Sequence, residues 1–187
     1  TCSRFAIEIG INIPTGKDSL SMKQKYSNLE VKAPGTVVIS ASAHCSDIKK
    51  VITPVVLADG GDIYYIDFSN DKFYLGGSAF AQAFGYVGKK TPTIKNSEYF
   101  KTAFDVTQDL IKKGGISSGH DIGSGGLITS LMELCFTSKN IGLKIDISSF
   151  KNDSTCSILF SEKIGILVQS KNNLTKIISL SAINKRL

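Results

Sequence analysis

GHDIGSGGLITSLMELCF, residues 119–136, joins a glycine-rich turn directly to a helix. Leu127, Ile128, Leu131, Leu134 and Cys135 recur at helical spacing, so the helix has an apolar face that must be buried. Ahead of it, Gly123, Gly125 and Gly126 free the backbone for close approach to a ligand. Asp121 stands where a carboxylate could meet magnesium, which prefers hard, charged oxygen. Ser124 fits two roles, capping the helix or touching a nucleotide. His120 has no neighbours in sequence that complete a triad, and it reads as a satisfied structural histidine sooner than as a functional one.

Upstream, a longer helix is expected from Ser97, with Ser97 as its cap. Tyr99, Phe100, Ala103, Phe104, Val106, Leu110 and Ile111 lie on one face, and Gly114 and Gly115 close it. LGGS at 75–78 precedes the apolar helix AFAQAFGYVG at 79–88. Amides at such a helix start favour an anion, although a cap on a tight turn explains the same residues. Strands are expected at TVVISASAH (36–44), IYYIDF (63–68), GLKIDI (142–147) and IGILVQ (164–169), with a last helix in NNLTKIISLSAI (172–183). Near the start, Cys2–Ile9 reads as a short helix ended by Gly10. GKDS at 16–19 then places Lys17, Asp18 and Ser19 on a turn, where the cation can neutralise phosphate oxygens and the carboxylate can hold their metal. A structural turn would use the same residues. The polar stretch 23–34 reads as a connector, with a domain boundary near Ala33. Strands interleaved with helices give an α+β class, a mixed sheet covered by helices.

Composition narrows the function classes. The chain has 187 residues, 42% hydrophobic and 20% charged, enough apolar surface for a packed core. No run approaches the roughly 18 apolar residues of a membrane helix, so no membrane partner is expected. Thr1 stands where an initiator Met would, and the expectation is a piece of a longer polypeptide. Cys2, Cys45, Cys135 and Cys156 form no CxxC pair, which argues against a zinc knuckle or disulfide framework and favours the cytoplasm. His44 and His120 are too few for a histidine metal site. The net charge of +6 raises nucleic acid as a partner, but the lysines are scattered and Arg4 and Arg186 are the only arginines, so no nucleic-acid partner is expected. None of the glycine stretches matches GxxxxGK[ST] or GxGxxG.

As an ordered set, GINIPTGKDSLSM (10–22), APGTVVISASA (33–43), LGGSAFAQ (75–82), GHDIGSGGLITSLMELCF (119–136) and ILFSEKIGILVQ (158–169) resemble the second synthase-like half of the large phosphoribosylformylglycinamidine synthases. That family is related to aminoimidazole ribonucleotide synthase. The resemblance implies that residues 1–33 are the tail of a barrel-forming N-terminal domain and residues 34–187 the synthase-like C-terminal domain. It implies a ligase of purine biosynthesis in which ATP activates the amide oxygen of formylglycinamide ribonucleotide as an iminophosphate, and ammonia from a glutaminase domain displaces the phosphate. The partners implied are the remaining synthetase and glutaminase domains and the small-molecule substrates. The cofactors implied are ATP or ADP and Mg2+.

By the same resemblance Asp121 is the magnesium-coordinating aspartate, and Gly123 stands where the family commonly has a serine at the nucleotide. That side-chain contact is then lost, or passes to the backbone or to Ser124; Lys17 is a nucleotide-binding candidate on its residue type and its turn alone. No catalytic residue is assigned. In the family pattern the other metal ligands of this half precede Thr1 and the glutaminase nucleophile follows Leu187, so the segment alone is expected to be inactive. The alternative implied is a noncatalytic module that holds a nucleotide structurally or serves as a scaffold.

Overall fold

The computed structural model describes residues 2–18, 21–137, 139–150, 153–177 and 184–186. The chain divides into two compact units, Thr1–Ile48 and Lys49–Leu187. In the first, helix α1 (Cys2–Ile9) ends at Gly10, whose φ of +80° suits glycine. The Ile11 amide reaches back to the Ala6 carbonyl at 2.8 Å and the Gly10 amide to that of Ile7 at 3.2 Å, a Schellman closure. The expected connector at 23–34 is instead a short antiparallel ribbon of β1 (Lys23–Lys25) and β2 (Glu30–Lys32). Lys23 stands opposite Lys32 in the ribbon, and the Glu30 carboxylate, 3.6–3.8 Å from the ammonium groups of Lys23, Lys25 and Lys32, offsets that like-charge pair.

The second unit carries an antiparallel sheet in the order β4-β5-β3-β6. Its strands are β3 (Asp62–Asp67), β4 (Ser118–Asp121), β5 (Gly165–Ser170) and β6 (Asn184–Arg186). Helices α2 (Ala79–Ala83), α3 (Ser97–Lys112), α4 (Gly126–Phe136), α5 (Thr155–Phe160) and α6 (Leu174–Ile177) complete the unit. The continuous apolar run of β3 follows from burial on both faces. Ile63 and Tyr65 pack with Leu127, Leu131 and Leu134 of α4 and Ile158 of α5. Tyr64 and Ile66 pack with Ala103 and Leu110 of α3 and Leu174 of α6. β5 repeats the division, Leu167 on the first side and Val168 on the second. The α+β class expected from the sequence therefore holds, with helices on both faces of the sheet.

Two expected strands do not form. At 36–44, Val37, Val38 and Ile39 are 75%, 86% and 64% exposed and join no ladder. Their β-branched side chains favour a pleated, half-buried surface, and such a preference makes no strand without a paired neighbour. At 142–147 burial does alternate, with Leu143, Ile145 and Ile147 against the α4 side of the core, yet the backbone pairs with no strand. Conversely β4, SGHD, has no strand signature and owes its state to pairing with β5. The cap of α3 is Asn96, whose Oδ1 accepts from the Tyr99 amide at 2.9 Å, and Ser97 is the first helical residue. On that helix Phe104 faces outward. The α2 helix stops at Ala83, and within the expected last helix residues 178–183 lie outside the described ones.

A buried ion pair fixes the end of β3. Lys163 Nζ lies 2.7 Å from Asp67 Oδ2, with the two side chains 7% and 12% exposed. The ammonium also sits 4.5 Å from the centre of the Phe73 ring. Asp67 Oδ1 accepts from the Ser69 amide and hydroxyl at 2.8 and 2.9 Å, so the charge on each partner is compensated. Removing one partner would strand the other charge. Lys163→Met is therefore expected to lower the urea unfolding free energy by about 3 kcal/mol, and unchanged stability would mean that solvent reaches Asp67.

Candidate functional site

The glycine turn is placed by the sheet edge. β4 pairs with β5 through Gly119 opposite Val168, His120 opposite Leu167 and Asp121 opposite Ile166. One further bond, from the Ile122 amide to the Gly165 carbonyl at 3.1 Å, carries the pairing just past the strand before the chain turns into α4. Gly125 and Gly126 take φ of +88° and +76°, a region that disfavours any side chain. A Cβ on Gly126 would also lie 2.7 Å from the backbone of Phe160 and Ser161, so glycine is required there for space as well.

Asp121 has a fixed backbone and an exposed carboxylate. Its carbonyl accepts from the buried Ser130 hydroxyl at 3.0 Å. It also lies 2.6 Å from His120 Nδ1, which donates when that nitrogen carries the proton. His120 Nε2 is 3.4 Å from Glu133 Oε2, so the ring links the turn to α4. The Asp121 side chain is 88% exposed, with Oδ1 3.6 Å from the same histidine. Beyond it, a Cβ added to Gly123 would meet nothing within 4 Å, and Ser124 is exposed at the tip of the turn. Of the two roles open to Ser124, capping does not occur; the N-cap of α4 is Gly125, which brings no side chain to that task.

The missing cap partner comes from elsewhere in the chain. Glu162 Oε1 accepts from the Gly125 amide at 2.9 Å and from the Ala79 amide at 2.7 Å. One carboxylate oxygen thus joins the turn before α4 to the start of α2. Around LGGS, the amides of Gly76, Gly77 and Ser78 are taken by the carbonyls of Lys90, Val87 and Leu75 at 2.9, 2.6 and 3.2 Å. Ser78 Oγ accepts from the Ala81 amide at 3.2 Å. Of the two readings of LGGS, the structure selects the capped turn.

Asp121, Gly123 and Ser124 therefore share one surface. Lys17 belongs to the first unit, where its ammonium donates to the Asp18 carbonyl at 3.2 Å; Ser19 lies outside the described residues. Glu133, Ser130 and Glu162 gave no signal through spacing, although a lone carboxylate within the apolar LMELCF is an anomaly that could have marked Glu133.

The donor set bears on magnesium. Among the described residues no group of three or more His, Cys, Asp and Glu could enclose a metal ion. Magnesium, however, is commonly held by one or two carboxylates together with phosphate oxygens and water. An exposed carboxylate beside open space on a glycine turn fits that arrangement.

Comparison with known proteins gives this geometry a context. The family described as AIR synthase related protein, C-terminal domain, matches residues 74–182, and the FGAR-AT PurM_N-like domain matches residues 1–44. The probable phosphoribosylformylglycinamidine synthase, chloroplastic/mitochondrial, of Arabidopsis thaliana is 42% identical over 175 residues, covering 92% of this chain and 12% of that protein. The phosphoribosylformylglycinamidine synthase of Homo sapiens is 39% identical over 163 residues, covering 86% of this chain and 12% of that protein. The chain thus spans 12% of the length of these relatives. T. maritima PurL complexed with FGAR is similar with a TM-score of 0.50 at 14% identity, over 74% of this chain and 25% of that one, a likeness of fold alone.

Two glycines of the turn separate backbone need from open space. Gly126→Ala is expected to cost about 3 kcal/mol through its positive φ and the backbone contact, whereas Gly123→Ala should stay within about 0.5 kcal/mol of the parent. Urea titration of both variants checks this, and equal costs would contradict the geometry of the turn.

Proposed function

We propose that this chain, which belongs to the family of AIR synthase related proteins through their C-terminal domain, is a segment of an ATP-dependent amidoligase that converts formylglycinamide ribonucleotide, glutamine and ATP to formylglycinamidine ribonucleotide. Two curated relatives at 42% and 39% identity, both named phosphoribosylformylglycinamidine synthase, support the reading. Its proposed partners are the remaining synthetase and glutaminase domains of a longer chain and the small-molecule substrates. The proposed division is residues 1–33 as the tail of the preceding domain and 34–187 as the synthase-like C-terminal domain. Among the described residues no helix is long and apolar enough to cross a membrane; a cytoplasmic location is proposed with the activity.

The observation that carries the site is the Asp121 carboxylate, 88% exposed on a backbone held by Ser130 and His120. The proposed ligand is ATP or ADP with Mg2+. Asp121 would hold the metal, and Gly123 and Ser124 would face the nucleotide from the open side of the turn; Lys17, in the first unit, is proposed separately as a nucleotide contact. Magnesium, when bound, neutralises phosphate oxygens and ties them to the carboxylate. What the chain's own residues supply is position: the sheet edge sets Asp121, and the Ser130 and His120 contacts keep its backbone from turning away.

A second reading is that this segment holds the nucleotide structurally, as a noncatalytic module. It draws support from the site itself, where the glycine turn presents the exposed Asp121 carboxylate and no group of three or more His, Cys, Asp and Glu among the described residues could hold a metal ion.

Asp121→Asn in the complete enzyme keeps the shape and removes the charge. We expect less magnesium nucleotide per chain after purification and a smaller rise in melting temperature on adding it, because a ligand stabilises only through binding the folded state. Turnover falling in proportion to bound nucleotide favours the catalytic role; stability falling with turnover retained favours the structural one. Unchanged nucleotide content and melting response would remove Asp121 from any site. The segment 1–187 assayed by itself is expected to show no amidation.

A further inference from the structure

We propose that Glu162 is a positioning residue that sets the glycine turn for its ligand, an inference that rests on the reading of that turn as a magnesium-nucleotide site. Gly125 occupies the N-cap of α4 in the left-handed region and brings no capping side chain. Its amide is held instead by Glu162 Oε1 at 2.9 Å, across a sequence gap of 37 residues. The same oxygen holds the Ala79 amide at 2.7 Å. Charged acceptors make stronger hydrogen bonds than neutral ones, and this one ties two separate loops at a single point.

Glu162 is itself held by its neighbours. Ser161 is buried and donates through Oγ to the Tyr74 carbonyl at 2.7 Å. Lys163 is buried against Asp67. Glu162, half-buried between them, therefore presents its carboxylate from a backbone pinned on both sides. The Gly125 amide fixes one end of a turn whose other end is fixed at the Asp121 carbonyl by Ser130. Gly123 and Ser124 lie between these two fixed points, so the direction of their backbone depends on both. Removal of the carboxylate takes away the side-chain anchor at Gly125, leaving that stretch, which contains three glycines, to the backbone bond from the Gly126 amide to the Gly123 carbonyl at 3.1 Å and to the contacts at its Asp121 end.

The test is titration of the nucleotide-stripped complete enzyme with magnesium ADP, below the melting temperature of every variant. Glu162→Ala is expected to bind at least about tenfold more weakly, the scale seen when a supporting partner of a ligand group is lost. Glu162→Gln keeps an acceptor oxygen at the same reach and should recover most of the affinity. Glu162→Asp keeps the charge, falls short of both amides, and should lose affinity as alanine does. Leu110→Ala, on the opposite face of the sheet, serves as a destabilised control whose melting temperature falls while its affinity does not. Affinity equal to the parent in both Glu162→Ala and Glu162→Asp overturns the inference, as does a loss in Leu110→Ala that matches theirs. If Glu162→Ala does not fold, the Asp and Gln variants carry the comparison. Asp121→Asn separates the two levels. Loss there with none at Glu162 overturns this inference alone, and no loss at Asp121 overturns the nucleotide reading and this inference with it.

Discussion

The second unit depends on three consecutive side chains, Ser161, Glu162 and Lys163, that leave one short stretch before β5 for three different places. Lys163 goes to Asp67 at the end of β3, Ser161 to the Tyr74 carbonyl, and Glu162 to the amides of Ala79 and Gly125. The buried pair matters because removing either charge leaves the other buried without its countercharge, at a cost of about 3–5 kcal/mol. That penalty penalises any slip of β5 along β3, since a slip would carry Lys163 away from Asp67 and exchange the faces of Leu167 and Val168. Register, core and turn are therefore coupled through a segment that is itself neither strand nor helix.

The core was legible in the sequence where burial alone decides structure. IYYIDF and IGILVQ are strands because their side chains are buried on both faces, and continuous apolar runs announce that directly. The α4 helix was equally plain, since Leu127, Leu131 and Leu134 must share a face. Reading failed where structure depends on a partner distant in sequence. TVVISASAH has every local mark of a strand and no ladder to join among the described residues, whereas SGHD has none of the marks and becomes one beside β5. The GLKIDI segment lies between these cases, correct in its alternation of burial and unpaired in its backbone.

For the site, the glycines and Asp121 were visible because residue type alone limits what such a turn can do. A positive φ at Gly125 and Gly126 and the contact behind Gly126 give those glycines a physical reason beyond any ligand. The supporting groups were not visible. Ser130 and Glu133 read as members of an amphipathic helix, and Glu162 as an ordinary charge before a strand. Only folding brings the Ser130 hydroxyl to the Asp121 carbonyl, the Glu133 carboxylate to His120 and the Glu162 oxygen to Gly125. Tyr65 shows the same limit from the other direction: its hydroxyl is buried with no hydrogen-bond partner among the described residues, and burial, aided by the Asp67 charge, raises its pKa well above the usual phenol value.

The turn from Asp121 to Gly126 is proposed to meet a magnesium nucleotide through the Asp121 carboxylate. A crystal structure of the complete enzyme with magnesium ADP bound tests it most directly. The expected result is a carboxylate oxygen of Asp121 at about 2.1 Å from the metal, with the nucleotide phosphates on the Gly123 and Ser124 side and the Glu162 bridge intact. Bound magnesium nucleotide in this half of the enzyme with Asp121 pointing into solvent would contradict it.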